Sequence, residues 1–131
     1  MARALVVALI VSTAVHYTDN WLRVERYAPR EGLLADNPWL IPIAWGLFAL
    51  LGIAAYREYR RGPTLRAHLM LAGFSVAGIS SFGHLFYEGN DFAAYQWLFV
   101  LSDGIIGAAV LAFALWSAAR ARTGPEPSIT L

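Results

Sequence analysis

The run FAAYQWLFVLSDGIIGAAVLAFALWSAA, Phe92 to Ala119, carries a single charged residue, Asp103. A bilayer hydrocarbon core about 30 Å thick needs roughly 20 helical residues, and this run exceeds that length. Three more apolar blocks precede it: Ala4 to Tyr17, extending to Leu22, then Pro38 to Tyr56, then Ala67 to Tyr87. The chain of 131 residues is 58% hydrophobic, with mean hydropathy +0.50, well above the apolar share of a soluble domain. Four transmembrane helices follow as the expectation, over about residues 4–22, 38–56, 66–87 and 92–119. Short connections make them an all-α, antiparallel four-helix bundle spanning 1–122. Residues 123–131, with Pro125 and Pro127, read as a flexible cytoplasmic tail. The first block imitates a secretory leader, with Arg3, an apolar stretch and Ser12-Thr13-Ala14; it is read here as a membrane helix.

Charge sets the expected orientation. All ten basic residues are Arg. Arg57, Arg60, Arg61 and Arg66 crowd the loop after the second block against a lone Glu58, and Arg3, Arg120 and Arg122 lie at the termini. The other two loops are mixed or acidic. The positive-inside rule then places both termini in the cytoplasm of a multi-pass cell-membrane protein. A net charge of +1, with the Arg divided among membrane edges, gives no footprint for nucleic acid. Cys is absent, which removes disulfides, thiolate metal sites and covalently attached haem. The Ala- and Arg-rich, Lys-free composition is that of a GC-rich bacterial genome.

Ionisable groups at bilayer depth are costly and normally face the protein interior or a water-filled cavity. Asp103 lies ten residues beyond Ala93, about 15 Å along its helix and near the midplane. His84 and His16 fall near the outer ends of the third and first helices. Helical spacing aligns Ser12, His16, Asp19, Asn20 and Arg23 on one stripe, and Ala77, Ser80, Ser81, His84 and Glu88 on another, with Tyr87 beside it. A third stripe holds Tyr95, Gln96, Phe99, Ser102, Asp103 and Gly107. The second helix offers Trp45. Tyr17, Trp21, Trp39, Tyr95 and Trp97 read as an interfacial aromatic belt.

Three polar stripes in one small bundle suggest a shared site, and such a site admits three chemistries. A buried carboxylate with nearby histidines suits acid–base work on an apolar substrate, with Asp103, His84 and His16 catalytic and no cofactor. Asn20, Trp45, Ser81, Tyr87, Asp19 and Glu88 would then bind a membrane lipid or other apolar small molecule. Alternatively His16 and His84 ligate a metal ion or a b-type haem. A third option is a proton pathway or an accessory subunit, with a second copy or another membrane protein as partner. Polar groups that only join helices explain the same stripes.

The segments VHYTDNW (Val15–Trp21) and FGHLFYEGNDF (Phe82–Phe92), followed by YQWLFVLSDGIIGAAVLAFALW (Tyr95–Trp116), resemble the EXPERA family of emopamil-binding sterol isomerases and the sigma-two receptor. The resemblance implies a four-helix membrane bundle with cytoplasmic termini and a pocket opening into the bilayer. It also implies a sterol- or isoprenoid-like ligand. His16 matches the family's histidine, Asp19 or Asn20 its acidic position, and Asp103 a ligand-facing polar amide. The isomerases also carry a Glu on the helix matching Pro38 to Tyr56, where this chain has no acid. Either Asp103 supplies that carboxylate or the isomerase chemistry is absent.

Overall fold

A computed structural model describes residues 1–27, 33–86 and 92–122. The site candidates Tyr87 and Glu88 and the tail lie outside the described residues. Every regular element among the described residues is a helix. Its elements are α1 (Ala2–Leu22), α2 (Val24–Tyr27), α3 (Leu33–Asp36), α4 (Leu40–Arg61), α5 (Leu65–Ile79), a 3₁₀ helix (Ser80–Phe86) and α6 (Ala94–Arg122). Four helical spans are long and apolar enough to cross a membrane: α1, α4, α5 continued by the 3₁₀ helix, and α6. They fit a multi-pass membrane protein.

The two largest boundary differences from the sequence reading have local reasons. Helix α4 runs past Tyr56 to Arg61, because Arg57 to Arg61 are tolerant of helix and Arg60 and Arg61 favour its negative C-terminal end. The third span does not stay α-helical to its end. Ser80 donates to the Ala77 carbonyl at 3.3 Å, and Ser80, Ser81 and Gly83 are weak helix formers. The chain tightens there into 3₁₀ geometry. Thr64 caps the start of α5, its hydroxyl accepting from the Ala67 amide at 3.2 Å.

The spans close into a ring: α1 packs on α4, α4 on α5, α5 on α6, and α6 on α1. Val6, Leu9, Ala55, Leu71, Phe74, Val110 and Phe113 form the apolar core. Outside, Val7, Val11, Val15, Leu47, Leu50, Leu69, Leu98 and Ile105 are exposed, which suits a lipid-facing surface. Helices α5 and α6 touch through glycines. A Cβ on Gly107 would sit 2.8 Å from the Ser75 carbonyl oxygen and 2.7 Å from the Ile79 nitrogen; one on Gly78 would overlap the Asp103 carbonyl. Only glycine permits that approach, and it brings Ser81 against Asp103.

Candidate functional site

Asp103 of α6 is completely buried. Its carboxylate accepts from Ser12 of α1, lies 2.8 Å from His16 Nδ1, and is reached by Ser81 Oγ at 3.5 Å. Three elements therefore converge on one side chain. A buried charge is costly unless hydrogen bonds replace its water shell, and these donors supply the replacement. Ser81 Oγ also lies 3.2 Å from His16 Nδ1, and Ser12 Oγ 3.3 Å from Ser102 Oγ.

His16 is only 1% exposed. A carboxylate facing Nδ1 calls for a donor at that nitrogen, which leaves Nε2 as the ring nitrogen able to exchange a proton. Nε2 is buried and has no hydrogen-bond partner. The ring faces His84 with centroids 5.6 Å apart and Tyr27 at 5.3 Å; Tyr27 and His84 are also 5.3 Å apart. The 3₁₀ geometry explains how Ser81 and His84 both arrive. At three residues per turn, positions i and i+3 eclipse, so the two side chains stack on one face.

A cavity of about 220 Å³ lies against this face, lined by His16, Asn20, Ser81, His84, Leu40 and Ile41 among others. Asp103 does not line it; His16 and Ser81 stand between. Trp45 lines a different cavity of about 190 Å³, with Tyr17, Thr18 and Trp21. Tyr17 borders both spaces and donates to the Ala77 carbonyl at 3.2 Å. The Trp45 indole nitrogen is buried without a partner.

Asp19 anchors a second cluster instead of joining Asp103. It pairs with Arg23 and accepts from Tyr27 at 2.8 Å and from Gln96 Nε2 at 3.0 Å. Gln96 in turn accepts the Ala93 amide at 3.0 Å at the start of α6. Tyr27, 1% exposed, folds back over the histidines and packs on Phe92 at 4.8 Å. Burial pushes its phenol well above the ordinary range, and the adjacent Asp19 carboxylate pushes it further.

The structure thus brings Asp103, His16, Ser81, His84 and Asn20 to one locality, and sets Asp19 above it and Trp45 beside it. Sequence reasoning did not assign Tyr27 or Gln96 to the site. Gln96 sat on the α6 stripe, a usable signal. Tyr27 lay past the end of α1, where periodicity carries no direction. For metal, the donor set is short: among the described residues no group of three or more His, Cys, Asp or Glu is placed to hold an ion. Comparison of the chain with family models, curated proteins and solved structures finds no match.

Proposed function

We propose that this chain is an antiparallel four-helix membrane protein with both termini on its arginine-rich, cytoplasmic side, and that it binds a sterol- or isoprenoid-like lipid for acid–base chemistry at His16. The pairing of Ser12 and His16 with Asp103, and of Asp19 with Gln96, supports the opposed direction of α1 and α6. One observation carries the chemical reading: a buried histidine fixed by a carboxylate through Nδ1, lining a cavity, with Nε2 unpartnered. That is the arrangement of an oriented general base. The resemblance to the EXPERA family supplies the ligand class.

The reaction that suits these groups is a double-bond shift. In its imidazolium form, held against the Asp103 carboxylate, His16 gives its Nε2 proton to one alkene carbon, forming a C–H bond and leaving a carbocation. His16 Nε2 takes a proton from the neighbouring carbon, and that C–H pair becomes the new double bond. Asp103 stabilises the imidazolium formed at His16. The proton taken up restores the His16 imidazolium paired with Asp103, which resets the site, and His84 and Tyr27 wall the reacting carbons. At about 220 Å³ the cavity is below the roughly 300 Å³ of a typical full ligand pocket, so the reacting ring enters and the remainder of the lipid stays in the bilayer.

Native mass spectrometry of the protein in mild detergent, followed by incubation in D₂O and analysis of the extracted lipid, tests this reading. A bound lipid of sterol or isoprenoid mass that gains deuterium is the expected result. Asp103→Asn and His16→Gln should each slow that gain by about 100-fold or more with the helical spectrum intact. Undiminished exchange in both variants would remove the dyad from the chemistry. A haem absorption band or stoichiometric metal in the purified protein would replace this reading with ligation by His16 and His84.

A further inference from the structure

The far end of the molecule from His16 holds a second shaped feature. The first residues of α1, the last turns of α4 and the later part of α6 enclose a groove of about 380 Å³. Tyr56, Tyr59, Phe113 and Trp116 form its walls, with Arg3 and Arg60 also lining it. The walls are fixed in place. The Tyr59 hydroxyl is 2.9 Å from Ser117 Oγ, which is 3.1 Å from Nε2 of buried His68. The Tyr59 ring meets Phe113 edge-on at 5.5 Å, and the Arg120 guanidinium lies 4.6 Å from the Trp116 ring centre.

The charge balance there is one-sided. Glu58 is bonded to Arg61 at 3.4 Å. Among the described residues, Arg3 and Arg60 form no salt bridge, and both are exposed. Unbalanced guanidiniums beside an aromatic groove, at the ends of apolar spans, need an anion that carries hydrocarbon. A soluble anion would leave the aromatic walls uncovered, and a neutral lipid would leave the cations unmatched. We propose that this groove binds an acidic phospholipid, its phosphate held by Arg3 and Arg60 and an acyl chain laid along Phe113 and Trp116. Guanidinium matches phosphate oxygens in a planar, two-pronged fashion, and the aromatic walls supply the apolar contact that selects a lipid over free phosphate.

The test is native mass spectrometry of the full chain titrated with dioleoyl phosphatidylglycerol or dioleoyl phosphatidylcholine. Phosphatidylglycerol should bind about 25-fold more tightly, roughly fivefold for each of the two arginines. Arg3→Gln/Arg60→Gln should bring the two lipids level, while Arg61→Gln and His16→Gln keep the preference. Arg60→Gln alone should lose about fivefold, which serves if the double variant folds poorly. Excess glycerol phosphate should not displace the lipid. Equal binding of the two lipids to the unmodified chain, a preference that survives in both Arg60 variants, or displacement by glycerol phosphate would overturn the assignment.

Discussion

At the residue scale, the chain concentrates its electrostatic cost at Asp103. Asp103→Ala would leave Ser12, His16 and Ser81 without their shared acceptor. Breaking a buried pair typically costs ~3 kcal/mol or more. Thermal unfolding in detergent should show that loss, and a double-mutant cycle with His16→Ala should give a coupling above ~1 kcal/mol. Additive losses would mean that the two side chains do not share an interaction. Tyr27 gives a pH signature. Its phenol holds the proton more tightly in the folded protein than in the unfolded chain. The stability this contributes is therefore complete below the ordinary tyrosine range and is lost as pH rises through the higher folded value. Absorbance at about 295 nm should show late-ionising tyrosine signal that falls by one tyrosine in Tyr27→Phe; simultaneous titration of all six tyrosines would contradict the burial.

At the element scale, two local departures from a plain α-helical bundle position the site. One is the glycine contact between α5 and α6. Gly107→Ala places a methyl group against the Ser75 and Ile79 backbone, which cannot swing aside as a side chain would. A loss of about 1–3 kcal/mol is expected. Gly46→Ala meets nothing within 4 Å and should be neutral or stabilising by up to ~1 kcal/mol. Melting temperatures of the two variants side by side check the contrast. The other departure is the 3₁₀ helix. The sequence reading extended the third helix unbroken to Tyr87, because apolar length alone does not separate α from 3₁₀ geometry. Ser80 and Gly83 were the local clue. The i, i+3 pair Ser81 and His84 was legible as a stripe, and the tighter winding aligns it.

At the scale of the whole molecule, polar side chains such as His16, Gln96 and Asp103 are buried beside the apolar core while large apolar side chains cover the outside, as a lipid-facing surface requires. Topology can be tested cleanly because the chain has no cysteine. With both termini cytoplasmic, Asp36→Cys should react with a membrane-impermeant maleimide in intact cells, and Arg61→Cys only after permeabilisation. The opposite pattern would invert the proposed orientation while leaving the buried dyad untouched. The core of Leu9, Leu71, Phe74 and Val110 lies between the His16 site and the Tyr59 groove along the spans. Changes at either end should therefore add independently in unfolding measurements.

The sequence by itself determined the spans and which residues share a stripe on each. Apolar length and the helical period are properties of one segment at a time. That sufficed to single out His16, Ser81, His84 and Asp103. Tertiary structure decided which stripes meet. The period gives angles around each helix axis but not the rotation of one helix against another. That rotation is set here by the Gly78 and Gly107 contact and by the fold-back of Tyr27. Packing therefore joined Asp103 to His16, gave Asp19 to Tyr27 and Gln96, and moved Trp45 into a neighbouring cavity.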